Sequence, residues 1–76
     1  PGQTSKLTVQ VNTRQTIEVE LYDVLGQRVR TIHSGPLTPA DPLQTRLDVS
    51  GLSSNLYFLR VSGEAMSEVR KISVVQ

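Results

Sequence analysis

Ile17-Glu18-Val19-Glu20-Leu21-Tyr22-Asp23-Val24-Leu25-Gly26-Gln27-Arg28-Val29 is the stretch that decides the fold class. Ile17, Val19 and Leu21 fall on one side of an extended chain, and Glu18, Glu20 and Tyr22 on the other. A period of two marks a strand with one buried face, whereas a helix would space its apolar positions by three and four. At Asp23 the alternation stops. Gly26 supplies the positive φ that a hairpin turn commonly demands, and Asp23 has the side chain that caps backbone N–H groups in turns. Residues 28–33 read as the returning strand. Their apolar positions, Val29 and Ile32, are three apart, which predicts a bulge or twist between them.

The same rhythm extends outward. Leu7, Val9 and Val11 alternate with Thr8 and Gln10, giving a first strand ahead of a polar stretch at residues 12–16. Residues 34–42 hold three of the four prolines and cannot be a central strand, so a surface connection with at most a short edge strand is expected. Leu43, Thr45, Leu47 and Val49 form the next alternating run. Residues 50–55 are a turn cluster in which Leu52 is expected to plug the core from below. Asn55 there is the non-glycine residue best able to adopt a left-handed conformation. Tyr57, Leu59 and Val61 face inward on the following strand, with Phe58 and Arg60 opposite. Tyr57 stands where sandwich folds place a tyrosine whose hydroxyl bonds the backbone at a strand corner. Tyr22 and Phe58 belong to outer faces, under a connection or in a contact patch. Residues 62–65 form a hairpin connection, and residues 66–75 the last strand, with Ile72 and Val74 inward. The expected fold is all-β, a small antiparallel Ig-like β-sandwich of six to seven strands. Residues 1–5 read as a linker remnant and residues 6–76 as the domain.

A chain of 76 residues makes one domain, near the lower size at which a lone hydrophobic core suffices. With no cysteine, neither a disulfide framework nor a thiolate metal site can staple it, although secretion stays open. The net charge of +1, from eight basic and seven acidic residues, gives no long-range attraction to nucleic acid or to an anionic membrane. No apolar run approaches the roughly 20 residues of a membrane span, so neither nucleic acid nor direct membrane insertion is expected. Residues 1–6 lack the apolar core of a signal peptide. The chain begins at Pro1, which fits a segment excised from a longer parent.

Catalysis finds little support. His33 is the only histidine and, without cysteine or a paired acid, cannot build a typical zinc site; an exposed strand-end residue is expected. Glu18 and Glu20 share a strand face with Cα atoms about 6–7 Å apart, a spacing that suits glycoside hydrolysis. A sandwich this small offers little room for the pocket that would raise one of their pKa values. Ion pairing of Glu18, Glu20, Asp23 and Asp48 with Arg28, Arg30, Arg46 and Arg60 across strands is the expected arrangement, Asp23 also capping its turn. Ser50, Ser53 and Ser54 have no histidine-acid relay, and Gly51 belongs to no nucleophile elbow or phosphate loop. No catalytic residue, cofactor or metal is expected. Arg28, Arg30, Arg46, Arg60, Arg70 and Lys71 either solvate the sheet and blunt its edges or, if the strands align them, form a basic stripe for an acidic partner.

Three elements recur together. Leu21, Tyr22, Asp23, Gly26, Arg28 and Val29 come first, and Leu52, Asn55, Leu56, Tyr57, Leu59 and Val61 second. The chain then closes with Arg70, Lys71, Ile72, Ser73, Val74 and Val75. In this order they resemble the C-terminal sorting domain of proteins exported by the type IX secretion system of Bacteroidetes, over residues 16–76. Asn55 stands where that family usually has glycine. The family's Asn-Pro near the first strand is absent, and Pro39-Ala40-Asp41-Pro42 replaces a glycine usually found before the fifth strand. The resemblance implies a non-catalytic address label on a secreted parent, carried through the periplasm to the cell surface or beyond. Its implied partners are the type IX translocon, a sortase-like peptidase that cleaves before the domain, and the upstream cargo. Residues 70–76, within which Arg70, Lys71, Ile72, Ser73, Val74 and Val75 stand out, are then the recognition strand. An Ig-like spacer or carbohydrate-binding module of a secreted hydrolase is the alternative, although the chain has no tryptophan and three aromatics. The Ig-like part of a flagellar hook-capping protein has a similar strand-Tyr-Asp-Gly pattern.

Overall fold

The computed structural model describes residues 4–75. Residues 1–3, in the expected linker remnant, and Gln76, at the end of the expected terminal strand, lie outside the described residues. The strands are β1 (Thr4–Val9), β2 (Gln15–Tyr22), β3 (Arg28–Leu37), β4 (Leu43–Asp48), β5 (Asn55–Gly63) and β6 (Ser67–Val74). There is no helix among the described residues. β1 and β4 make a two-stranded sheet, and the remaining strands a four-stranded sheet in the order β3-β2-β5-β6, every pairing antiparallel. One hydrophobic core joins the two sheets. The architecture is the expected all-β one, with six strands.

β2 lies at the centre because its apolar face is complete: Ile17, Val19 and Leu21 are all 0% exposed. Tyr57, Leu59 and Val61 of β5 extend that face, while Val9 and Leu47 close over it from the small sheet. Full burial of a Val, Leu or Ile side chain contributes about 1.5–3 kcal/mol, so this layer supplies most of the driving force in a chain without disulfides. Val11 and Val49 are also buried, but in the passages between sheets rather than in strands. The alternation through Val11 is real, yet pairing ends at Val9 because the chain must cross to the other sheet.

β3 is longer than the sequence pattern suggests. Instead of ending near residue 33 it runs to Leu37, which is buried, and includes Pro36. The proline is tolerated because β3 is an edge strand with no neighbour beyond it to need its N–H. Its pairing with β2 jumps between Val19↔His33 and Glu20↔Thr31, and again between Leu21↔Arg30 and Tyr22↔Arg28. The residues passed over are Ile32 and Val29, so the expected irregularity is a double bulge at those two apolar positions. Beyond β3, Asp41 N donates to Thr38 O at 3.0 Å, closing a tight turn with Pro39 in its second position.

A polar tie holds the other end of β2. Gln15 is 7% exposed, and its Oε1 accepts from Ala65 N at 3.1 Å, joining β2 to the β5–β6 connection. Gly63 lies against this tie. A Cβ at that position would collide with the Ile17 side chain and come within 2.7 Å of Gln15 Oε1. Gly63→Ala is therefore expected to destabilise the domain by about 1–3 kcal/mol, through overpacking. Urea unfolding is the measurement, and a midpoint equal to the parent's would overturn this account of the contact.

Candidate recognition surface

The register brings the three sequence elements to one end of the sandwich. Tyr22 pairs with Phe58, Phe58 with Lys71, and Asn55 with Val74. The β2–β3 turn, the start of β5 and the end of β6 are therefore neighbours, although they are far apart along the chain.

Each of the two turns at this end is built by an aspartate. Asp23 N donates to Gln27 O at 2.9 Å and Gly26 N to Asp23 O at 3.1 Å, which defines a three-residue hairpin loop. Gly26 takes the left-handed position at φ 81°. Asp23 Oδ1 accepts from both Leu25 N and Gln27 N at 2.9 Å, the capping role expected of it. In the second turn Leu52 N donates to Val49 O at 3.1 Å, with Gly51 third in the turn at φ 82°, as a type II turn requires. Asp48 Oδ1 accepts from Ser50 N, and this hydrogen bond holds the Asp48 carboxyl below its ordinary value. Leu52 packs partly buried against the core. Tyr57 is 4% exposed, and its hydroxyl donates to Ser53 O at 2.8 Å, latching the loop to the strand that follows.

Asn55 departs from expectation. No non-glycine residue among the described ones has a positive φ, so Asn55 is not left-handed. It starts β5 opposite Val74, and its Oδ1 lies 2.8 Å from the Leu56 N that donates to it. Gly51 supplies the left-handed turn instead, which leaves Asn55 in extended pairing.

β6 is the outer strand of the large sheet, paired with β5 on one side only among the described residues. Ile72 is half-buried and Val74 buried, both inward as expected. Lys71 and Ser73 occupy the opposite face, and Val75, just past the strand, is 70% exposed. Glu68 and Arg70 share the side of Ile72 and line a hollow with Leu7 and Val9 of the small sheet. There Arg70 Nε donates to Glu68 Oε1 at 2.9 Å.

The basic residues do not form one stripe. Arg28 and Lys71 end a row across the outer face of the large sheet, Arg28–Tyr22–Phe58–Lys71, with Arg60 opposite Glu20 in the next row. Arg46 pairs with Lys6 on the small sheet. Arg30 faces the other way. The bulge at Val29 changes its side, and its guanidinium donates to the carbonyls of Asp48 and Ser50, clasping β3 to the second turn. Of the expected cross-strand ion pairs, Glu20 with Arg28 is formed, at 2.9 Å. Tyr22 Oη donates to the same carboxylate at 3.0 Å. The hydrogen bonds from Arg28 and then Tyr22 hold the Glu20 carboxyl below its ordinary value, the reverse of what a general acid at neutral pH needs. His33 is not at a strand end. It is half-buried within β3, opposite Val19, with Nε2 3.2 Å from Gly35 O. Gln15 and Arg30 carry ties that sequence reading missed: nothing local marks Gln15, and the side of Arg30 depends on the bulges.

The two turns and β6, the outer strand among the described residues, thus share one end of the sandwich. The chain matches the family described as the secretion system C-terminal sorting domain over residues 3–75, and it belongs to that family. No curated protein and no solved structure matches it. The family is a sorting signal for type IX secretion, marking the proteins that carry it for release or surface attachment through the outer membrane. Sorting is therefore the function of the domain, and domains of this family are in general non-catalytic.

Two predictions follow from the bonds at this end. Tyr57→Phe keeps the buried ring but removes the donor to Ser53 O, and should lower stability by about 0.5–1.5 kcal/mol in urea unfolding; an unchanged midpoint would refute the latch. The second concerns acid. Because the Glu20 carboxyl is depressed in the folded state, its contribution is complete above its unfolded value of about 4.3 and is lost as pH falls through the folded value. Glu20→Gln should melt below the parent at pH 7, and the gap should narrow as pH falls below the ordinary carboxylate range. A gap that stays constant from pH 7 to pH 2.5 would contradict the assignment.

Proposed function

We propose that the terminal strand is the part of the address that the export machinery reads, through Arg70, Lys71, Ile72, Ser73, Val74 and Val75. The observation that carries this reading is the single-sided pairing of β6. Its outer edge offers backbone donors and acceptors to an incoming strand, and strand addition is a common mode of peptide recognition. Ile72 and Val74 anchor the strand in the core, while Lys71, Ser73 and Val75 are presented outward. The partners in this reading are the type IX translocon and a sortase-like peptidase that cuts before the domain, ahead of β1, which already includes Thr4 and Ser5 of the expected linker. The domain is the substrate in that cut and supplies no catalytic group, in keeping with the depressed Glu20 carboxyl.

The test is a secreted fluorescent reporter fused to residues 1–76 in a type IX-competent bacterium, with a translocon-deficient strain for comparison. A version lacking residues 70–76 tests the strand as a whole. Ser73→Glu with Val75→Glu alters only exposed positions and leaves Ile72 and Val74 in place. Both versions are expected to keep the reporter in the periplasm, with the double substitution shown by circular dichroism to retain its strands. Export of that double variant at the parent's level would overturn the assignment to β6.

A further inference from the structure

The outer face of the large sheet is uneven in a way that solubility does not require. Towards the β5–β6 connection it carries Glu18, Ser62 and Ser67. Towards the turn end it carries a trough of about 350 Å³ walled by Tyr22, Phe58, Val69, Arg60 and the β2–β3 loop at Val24. Val69 is 60% and Val24 51% exposed, so neither is apolar for the sake of the core. The far wall is prebuilt, because Asp23 fixes the loop with two side-chain hydrogen bonds.

Charge identifies what fits there. Both carboxylates beside the trough are occupied: Glu20 by Arg28 and Tyr22, Asp23 by backbone N–H groups. Among the described residues, the side chains of Arg60 and Lys71 make no hydrogen bond or salt bridge, and Arg60 acts on Glu20 across the strand only through its charge. They sit on diagonal positions of adjacent strands, within reach of one ligand. An apolar hollow beside two cations with no hydrogen-bonded side-chain partner suits a peptide that has a bulky apolar side chain next to carboxylates. Aromatic walls and arginine are also the residue types that carry most binding energy at protein interfaces.

We propose that this trough is a second docking point, which takes an acidic segment of a protein partner. One large apolar side chain lies on Phe58 and Tyr22, and neighbouring carboxylates meet Arg60 and Lys71. The inference rests on the reading of β6 as the recognised strand, since Lys71 belongs to both surfaces. It adds the chemistry of the partner: acidic and apolar together, approaching across the outer face as well as along the edge.

The experiment uses the same reporter fusion. Arg60→Glu with Lys71→Glu should reduce export by about tenfold, since opposed charge at an interface both weakens and misdirects binding. The conservative pair Arg60→Lys with Lys71→Arg should restore most of it. Melting temperatures of the purified domains establish that both pairs fold. A photo-crosslinking amino acid at position 69 should attach, during export, to a partner peptide rich in Asp and Glu. Undiminished export after charge reversal would overturn the proposal, as would attachment to lipid, to a basic peptide or to nothing. If charge reversal is harmless while the Ser73→Glu, Val75→Glu fusion still fails, the β6 reading survives without Lys71 and the trough is refuted.

Discussion

Ile17, Val19 and Leu21 have no exposed surface, and the strand that carries them is paired on both sides. Sliding β2 by one residue would turn these three to solvent and bury Glu18 and Glu20, so its register is specified with very little tolerance. β3 and β5 inherit that register, β6 takes it from β5, and the small sheet must then close over whatever face β2 presents. In a chain with no disulfide and little interior, this constraint does the work that crosslinks do in other small secreted domains.

Much of this was legible. Period-two runs are strong signals, and those around Ile17, Leu47 and Tyr57 each correspond to a strand. Asp23 and Gly26 identified their turn because turn chemistry is local. What could not be read depended on parity or on tertiary neighbours. The spacing of Val29 and Ile32 announced an irregularity, but two bulges rather than one determine that Arg28 faces out and Arg30 in. Pro36 discouraged a strand that the edge position permits. Asn55 looked suited to a left-handed site, yet Gly51 had already taken that geometry four residues earlier. His33 looked peripheral only because its strand was read too short.

For the surface, the separate motifs were visible and their convergence was not. The Tyr22 turn and the Tyr57 strand are each ordinary β structure. Only the pairing of β2 with β5 and of β5 with β6 makes them one end of the molecule, and only there do Arg60 and Lys71 come to lie diagonally beside one hollow. The pairings gather residues scattered along the chain onto one surface, which is the surface proposed above as the address.

The strand order also sets when the sheet can close. β2, the most deeply buried strand, has no second neighbour until β5 has been synthesised, and β6 follows only after that. A chain cut short before β5 leaves that central strand with a bare edge, so the most buried face of the sheet is secured only when the later strands arrive.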